Sequence, residues 1–270
     1  MERQPPSPTI ELVAGDRALF ASDMHLGEHD PATAEVFLAR LRELAASTSH
    51  VFLLGDLFEA WVGDDFADPV CDRALDTLRG LTGAGCRLFV MRGNRDFLLD
   101  LPLPLRSQAG GATQSPVSFS ARTGAEMLAD PTAVRLFGER ALLAHGDALC
   151  TDDADYQRFR ALTRDAGWQR GFLARPREER VAIAQDLRAR SELSKSTKAD
   201  FIMDVNACAV DAAMHAAGAR LLIHGHTHRP ARHALTIDGR PAWRLVLPDW
   251  DAALGRGGML LATAQGISEA

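Results

Sequence analysis

Short apolar runs alternate with amphipathic stretches along this chain. Four β-like runs each end in a polar residue at a turn, and a fifth follows later: residues 18–22, 51–54, 88–91, 141–144 and 221–223. Helix-like stretches at residues 32–46 and 71–81 lie between the first runs. This alternation of strand and helix predicts a layered α/β fold. Functional side chains in such folds gather at the carboxyl ends of strands.

The second half of the chain has a different pattern. Residues 155–166 and 178–194 are helix-like and flank breaks at Gly167 and Pro176, which predicts a helical insertion over the edge of the sheet. Residues 203–217 predict another helix. Residues 232–237 and 243–247, separated by the sequence DGRPA, predict two antiparallel strands around a turn. Residues 107–123 are rich in Gly, Ser and Thr and predict a mobile loop that carries no chemistry.

Composition narrows the class of protein. The chain has 270 residues, of which 46% are apolar and 24% charged, and this excludes a disordered or collagen-like protein. No stretch approaches the roughly 18 apolar residues that cross a bilayer, and the first 16 residues lack the basic and apolar segments of a signal peptide. We therefore expect a cytoplasmic protein that does not span the membrane. Its four cysteines are far apart without a CxxC pair, and we expect buried reduced thiols.

The distribution of charge is more informative than the net charge of −6, which argues against a nucleic-acid-binding surface. Residues 154–198 carry nine arginines and both lysines of the chain against six acidic residues, a balance of +5. The rest of the chain has 19 basic and 30 acidic residues, a balance of −11. A solvated helical face is one interpretation of the basic segment. Attraction to an anionic partner is the other.

Five polar clusters stand where β-like runs end. They contribute two carboxylates, one amide and four imidazoles: Asp23 and His25, Asp56, Asn94, His145, and His226 with His228. Side chains at positions i and i+2 of a strand share a face, so both pairs are expected to project together. A glycine adjoins most of these residues, at Gly55, Gly93, Gly146 and Gly225, where the backbone must turn tightly.

Seven ligands are too many for one tetrahedral zinc ion, but they suit two metal ions that share a carboxylate. The donor types accommodate Mn²⁺, Fe²⁺ or Zn²⁺. Any single histidine is more often a structural or surface residue than a ligand, and we interpret His29, His50, His215 and His233 in that way. His224 lies beside the cluster, and its role stays open.

The order D-x-H, G-D, G-N, H-G-D, G-H-x-H resembles the calcineurin-like metallophosphoesterases from about residue 19 to residue 250. Within that superfamily, GDLFEAW, GNRDF, HGDALCTDD and IMDVN are similar to the family of UDP-2,3-diacylglucosamine diphosphatases of lipid A biosynthesis. Many superfamily members have a histidine after the asparagine of G-N. Arg95 stands there in this chain, as in the diphosphatase family.

The resemblance implies an α/β fold, a four-layer αββα sandwich with a helical insertion (lid) at about residues 154–200, within a single domain of residues 1–270. It implies two Mn²⁺ ions, one held by Asp23, His25 and His228, the other by Asn94, His145 and His226, with Asp56 bridging. Catalytic roles are implied for Asn94, Arg95 and His226. These three are also expected to bind substrate, together with Asp153, Tyr156, Ser191, Lys195 and Lys198. For Tyr156, packing is the alternative.

We therefore expect hydrolysis of UDP-2,3-diacylglucosamine to UMP and 2,3-diacylglucosamine 1-phosphate at a dinuclear centre. Because this substrate is acylated, the basic insertion is expected to meet the anionic inner-membrane surface, on its cytoplasmic face, without a nucleic-acid or obligate protein partner. Apolar residues of the insertion are expected either to shelter acyl chains or to pack onto the sandwich: Trp168, Phe172, Leu173, Ile183 and Leu187. The alternatives are a metallophosphoesterase acting on another phosphodiester or nucleotide, and a metal-dependent scaffold without activity.

Overall fold

Twelve strands form two six-stranded sheets in the part of the chain that the structure describes. A computed structural model describes residues 10–66, 68–103, 116–195 and 204–270, and it gives only the backbone for residues 190–195. The first sheet has the order β12-β11-β2-β3-β4-β5, with strands β2 (Ala18–Ala21), β3 (His50–Leu54), β4 (Arg87–Met91), β5 (Glu126–Leu128), β11 (Leu260–Thr263) and β12 (Gly266–Glu269). The second has the order β1-β6-β7-β8-β10-β9, with strands β1 (Glu11–Leu12), β6 (Thr132–Leu136), β7 (Glu139–Leu143), β8 (Leu221–His224), β9 (Ala231–Ile237) and β10 (Arg240–Val246).

Seven α-helices accompany the sheets in the described ranges. Their bounds are α1 (Pro31–Ala45), α2 (Pro69–Gly83), α3 (Phe119–Thr123), α4 (Ala154–Thr163), α5 (Ala166–Leu173), α6 (Arg177–Lys195) and α7 (Ala207–Ala217). Helices α1 and α2 begin in the same way: an aspartate, Asp30 or Asp68, accepts backbone N–H groups of the first turn, and a proline follows it. Proline fits the first helical position because its missing N–H has no partner there.

The core confirms the four-layer αββα sandwich. Outer residues of the first sheet, such as Val51 and Leu53, pack against Phe37 of α1 and Leu78 of α2. The two sheets enclose a second apolar cluster. There Phe52 stacks between Phe20 and Phe89, with ring centroids 4.9 and 4.7 Å away. A third cluster joins the outer face of the second sheet to α7. Each sheet is thus covered on both faces, and the all-buried run HVFLL of β3 is typical of such a strand.

Parallel pairing brings the strand ends that matter to one edge. Strands β2, β3, β4 and β5 are parallel neighbours in the first sheet, and β7, β8 and β10 are parallel neighbours in the second. The backbone N–H of Asp23, after β2, donates to Gly55 O after β3 at 3.1 Å. Gly225 N, after β8, donates to His145 O after β7 at 2.9 Å. The loops that follow these strands are therefore bonded to each other.

Helices α4, α5 and α6 occupy the segment for which the sequence predicts a helical insertion. The predicted break at Pro176 is confirmed, since it lies between α5 and α6. The predicted break at Gly167 is wrong because Asp165 caps α5 by accepting the N–H of Trp168, which places Gly167 in the first turn. Phe172 and Leu173 are buried in the core beside the first sheet. For these two residues the packing alternative is the right one.

Arg180 of α6 differs most from the sequence-based expectation of a basic surface. Its side chain is fully buried, donates to Val62 O and Arg175 O, and pairs with Asp65. A buried guanidinium needs this set of acceptors because an unpaired buried charge is costly. Arg180 therefore fastens α6 to the loop after β3 and cannot face a membrane.

Other predicted elements need correction. The hairpin β9–β10 turns at Asp238 and Gly239, both with positive φ, so its turn is shorter than DGRPA. Helix α7 begins at Ala207 rather than near residue 203 because Asn206 caps it. Residues 119–123 of the predicted loop form α3, whereas residues 107–115 lie outside the described residues. Cys208 is exposed, although Cys71, Cys86 and Cys150 are buried, and all four are free thiols.

Strands β1, β5, β6, β11 and β12 were not predicted, because they lie outside the apolar runs from which the strands were predicted. None of the helices in the described ranges is both long and apolar enough to cross a membrane.

Candidate metal centre

Six loops that follow strands of both sheets supply the side chains of the site. Asp23 and His25 follow β2, Asp56 follows β3, Asn94 follows β4, His145 follows β7, and His226 and His228 follow β8. The loop after β10 adds Asp249. The fold thus brings the loops that carry all seven proposed ligands to one edge of the sheets.

The first group of donors is Asp23, His25 and His228, which offer ligand atoms within 4.8 Å of one another. His228 Nε2 lies 3.4 Å from Asp23 Oδ1, and His25 Nε2 lies 4.0 Å from the same oxygen. The two Nε2 atoms are 3.5 Å apart. Three donors that converge on one point in this way fit a metal ion.

The second group is Asp23, Asp56 and His145, with the same spacing limit. His145 Nε2 lies 3.6 Å from Asp56 Oδ1 and 3.0 Å from Asn94 Oδ1. The other oxygen of Asp56, Oδ2, lies 3.8 Å from His25 Nε2. The two oxygens of Asp56 thus face the two groups, as a bridging carboxylate requires. Asp23 is common to both groups as well, so the geometry alone leaves two carboxylates between the two positions.

His226 belongs to neither group of donors. Its ring lies against that of His145, with centroids 5.1 Å apart, and its backbone N–H donates to Asp23 Oδ2 at 2.8 Å. Burial, followed by the neighbouring charge of His145, lowers the pKa of His226 to about 4. The imidazole is therefore neutral at physiological pH, which is the form that can donate a lone pair to a cation.

An unusual backbone presents these side chains. Asp23, His25, Asp56, His226 and His228 all have φ between 49° and 66°, a left-handed conformation that non-glycine residues rarely adopt. Two glycines make room beside them. A Cβ on Gly93 would collide with the carboxylate of Asp56, and one on Gly225 would collide with Asp23 and Ser22. The prediction that glycines permit close approach at the site is confirmed at these two positions.

The far nitrogen of three histidines has an oxygen partner. His145 Nδ1 donates to Leu54 O at 3.0 Å, His25 Nδ1 lies 3.2 Å from Glu59 Oε2, and His228 Nδ1 lies 3.4 Å from Asp249 Oδ2. A proton held on Nδ1 leaves the Nε2 lone pair directed at the centre. This arrangement is typical of histidines that bind metal.

Carboxylates dominate the electrostatics of the centre. Burial opposes protonation of His145, but the negative charges of Asp56 and Asp23 raise its pKa to about 9. Burial likewise opposes protonation of His228, but hydrogen bonds with Asp23 and Asp249 raise its pKa to about 9. Although burial opposes its ionisation, the pKa of Asp23 is strongly lowered by His228, His145 and His25. The site is thus a negative pocket that stabilises added positive charge.

Arg95 stands beside these donors. Its backbone N–H donates to Asp56 Oδ1 at 2.8 Å, and its guanidinium lies 3.4 Å from Glu59 Oε1. Arg95 is therefore held at both ends next to the carboxylate that faces both donor groups.

Two of the predicted substrate residues lie at the start of α4. Asp153 caps the helix by accepting the N–H of Tyr156 at 3.0 Å. The Tyr156 ring lies 5.8 Å from that of His226, and its hydroxyl donates to Asp147 Oδ2 at 2.8 Å. Tyr156 therefore reaches the edge of the site, and Asp153 stands at the start of the same helix. Ser191 and Lys195 lie on α6, one turn apart, but their side chains are outside the described residues, as is all of Lys198.

Sequence reasoning missed a set of buried carboxylates around the donors. Asp147 pairs with Arg160 Nε at 2.9 Å and so ties α4 to the loop that carries His145. Asp96 accepts the backbone N–H groups of Gly93 and Leu57 at 2.7 and 2.8 Å and joins two site loops. Glu59 and Asp249 orient histidines. The G-N-R-D and H-G-D motifs contain two of these residues, but only tertiary contacts show what they hold.

The remaining histidines take structural roles. His224 Nδ1 donates to Gly225 O at 2.9 Å and its Nε2 lies 3.3 Å from Arg244, so it belongs to neither donor group. His50 is buried beside Ser49, and His215 pairs with Asp238 on the surface.

A model of the calcineurin-like phosphoesterases matches residues 17–230 of this chain, which include all seven donors. The chain belongs to this family. It is similar to proteins named UDP-2,3-diacylglucosamine hydrolase from three bacteria. The one from Cellvibrio japonicus is 44% identical over 93% of this chain and 96% of that protein, and the one from Aromatoleum aromaticum is 46% identical over 86% and 89%. The one from Bordetella pertussis is 42% identical over 92% of each.

The predicted family resemblance is confirmed by these matches. Calcineurin-like phosphoesterases hold two metal ions, and two groups of clustered donors in the described residues fit such a centre.

Proposed function

We propose that this protein hydrolyses the pyrophosphate bond of UDP-2,3-diacylglucosamine, giving UMP and 2,3-diacylglucosamine 1-phosphate in lipid A biosynthesis. The observation that carries the proposal is the identity of 42–46% with proteins named UDP-2,3-diacylglucosamine hydrolase, which extends over most of the chain. It is a metal-dependent hydrolase of the phosphoesterase type.

The donor set supports a dinuclear centre. Asp23, His25 and His228 would hold one ion, and Asn94, His145 and His226 the other, with Asp56 between them. Carboxylate, amide and imidazole donors suit Mn²⁺, which we propose as the resident metal. When bound, the two cations lower the pKa of a water molecule and offset charge on the phosphate oxygens.

The residues of the chain itself supply orientation and charge. Arg95 can form a two-pronged hydrogen bond with phosphate oxygens, because its guanidinium carries parallel N–H donors. Its two fixed ends, at Asp56 and Glu59, keep it beside the centre. Asn94 Oδ1 and His145 Nε2, 3.0 Å apart, face the same side. Asn94, Arg95 and His226 are proposed as the catalytic residues that touch the reacting phosphate.

The insertion is proposed to bind the rest of the substrate and to act as a lid. Asp153 and Tyr156 on α4 would meet the nucleotide and sugar portions, together with Ser191, Lys195 and Lys198. The support is the position of α4 at the site, where Arg160 pairs with Asp147 and Arg164 donates to Gly93 O at 2.8 Å. We propose a single domain of residues 1–270 with this insertion at about residues 154–200.

A peripheral position on the cytoplasmic face of the inner membrane is proposed because the substrate is acylated. The arginines that can meet anionic lipid are those with exposed side chains, such as Arg175 and Arg177, which are 54% and 49% exposed. Partly buried Trp168, Ile183 and Leu187 remain candidates for contact with acyl chains. No nucleic-acid or obligate protein partner is proposed.

An assay of the purified protein tests the proposal. Mn²⁺-loaded protein should release UMP from UDP-2,3-diacylglucosamine and lose this activity with a chelator. A cyclic nucleotide and a phosphopeptide serve as competing substrates. Preference for either of them would favour another phosphoesterase activity, whereas inactivity on all three with a full complement of metal would favour a scaffold.

A further inference from the structure

Glu59 lies in the loop after β3, three residues beyond Asp56, and its side chain is almost completely buried. Its backbone N–H donates to Leu26 O at 3.0 Å, in the loop that carries His25. A buried carboxylate is costly unless positive groups surround it. The partners of Glu59 therefore identify what it does.

Three cationic or proton-donating groups from three parts of the chain meet this one carboxylate. Oε2 lies 3.2 Å from His25 Nδ1, after β2. Oε1 lies 3.4 Å from Arg95 Nη1, after β4, and 2.7 Å from Arg188 Nη1, on α6. The imidazole and the two guanidinium groups thus surround the buried carboxylate with proton donors and positive charge, which is the environment that a buried carboxylate requires.

The two oxygens act on different neighbours. Oε2 keeps the proton of His25 on Nδ1, so that Nε2 faces Asp23 and Asp56. Oε1 neutralises two guanidinium groups that approach the same atom and would otherwise repel each other. Without this charge, Arg188 and Arg95 would each lose the ion pair that they make with Glu59.

We propose that Glu59 is a positioning residue that orients both His25 and Arg95 and fastens α6 beside them through Arg188. One side chain then fixes the orientation of the metal donor His25, the orientation of the Arg95 guanidinium and the position of α6. Its effect on turnover rests on the proposed function. Its effects on metal affinity and on the docking of α6 do not.

Glu59→Gln is the informative change because it keeps the size of the side chain and removes its charge. Mn²⁺ affinity, measured by titration of the metal-free protein, should fall about 10- to 100-fold, the usual loss when a carboxylate partner of a ligating histidine is removed. The kcat for UDP-2,3-diacylglucosamine should fall by a similar factor at saturating Mn²⁺, because Arg95 loses its orientation. Glu59→Asp keeps the charge and should retain more Mn²⁺ affinity than Glu59→Gln.

Arg188→Met tests the connection to α6. Limited proteolysis within α6 should speed up at least several-fold in Arg188→Met and in Glu59→Gln, and the double variant should show no further increase, since both changes break one ion pair. Arg177→Met is the matched control, because Arg177 is on the same helix, half exposed, and pairs only within that helix among the described contacts. Glu126→Gln, at an exposed pair with Arg87, is the control for loss of a carboxylate.

Two results would overturn the proposal. One is a Glu59→Gln variant whose Mn²⁺ affinity and kcat are both within twofold of the parent values. The other is weaker Mn²⁺ binding in Glu59→Asp than in Glu59→Gln. Circular dichroism of every variant identifies global unfolding. If Glu59→Gln does not fold, the comparison of Glu59→Asp and Arg188→Met with the controls decides: parental values in both would reject the role. Lack of parent activity on the substrate would refute the proposed function, but the Mn²⁺ titration and proteolysis would still judge Glu59.

Discussion

At the scale of single residues, the centre depends on carboxylates whose two oxygens do separate work. Asp56 is the clearest case. Oδ1 faces His145 and accepts the N–H of Arg95, while Oδ2 faces His25. The two oxygens of Glu59, which lies farther from the centre, likewise contact different neighbours, His25 and Arg95. A carboxylate whose two oxygens contact different groups cannot be replaced by a side chain with only one such oxygen.

Asp56→Ala should remove almost all activity and lower the amount of metal bound per chain. The change deletes the carboxylate between two cations that lie about 3.5 to 4 Å apart in such centres, and their repulsion is then less offset. Elemental analysis and turnover measure the two effects. Asp76→Ala, on the exposed face of α2, is the control. Normal metal content in an active Asp56→Ala protein would rule out the bridge.

Arg95→Ala should keep its metal and lose rate, because a guanidinium does not ligate a cation but stabilises charge on phosphate. Removal of a contact of this kind typically lowers turnover about 10²- to 10³-fold. Arg95→Lys should recover only part of the loss, since an ammonium lacks the two-pronged geometry. Metal analysis beside kcat measures both, and a parental rate for Arg95→Ala would refute its role.

At the scale of elements, α6 and the residues just before it contain two kinds of arginine. Arg180 is buried and belongs to the packing of the helix, whereas Arg175 and Arg177 are exposed and paired with neighbouring glutamates. The basic segment is therefore not a uniform surface. Part of its charge attaches α6 to the site loops, and part is exposed, where the proposed contact with lipid would occur. In the sequence, the two lysines stand near the C-terminal end of this segment.

Arg175→Ala combined with Arg177→Ala should weaken binding to anionic vesicles, more strongly at low salt, because surface attraction is screened within about 8 Å at physiological ionic strength. Turnover of detergent-solubilised substrate should change little. Lys195→Ala with Lys198→Ala should do the reverse: KM rises while vesicle binding and metal content stay the same. Vesicle sedimentation and detergent-based activity assays on the double arginine variant and the double lysine variant measure the two effects. Identical behaviour of these variants would show that membrane binding and substrate binding are not separated between the arginines and the lysines.

At the scale of the whole molecule, the sequence predicts the five strongest strands and the donors that follow them, since a buried parallel strand leaves an apolar run and its loop carries the chemistry. Short edge strands such as β1 and β5 leave no comparable pattern. The partners of the donors could not be predicted either. Glu59 and Arg188 are 129 positions apart, and only the folded chain shows that they meet. The break predicted at Gly167 is wrong because the helix cap at Asp165 outweighs the low helix propensity of one glycine.

The left-handed backbone at five of the donors has a consequence for the evolution of the chain. Each such non-glycine residue costs about 1–3 kcal/mol of native stability. Glycine at His228 should therefore give a metal-free protein about 1 kcal/mol more stable than alanine at the same place, despite the greater chain entropy of glycine. Urea unfolding in the presence of a chelator measures the free energy of unfolding of both variants. A more stable alanine variant would contradict the prediction. Among inactive replacements at this position, the backbone therefore favours glycine, and only the need for a side chain at the centre keeps a strained residue there.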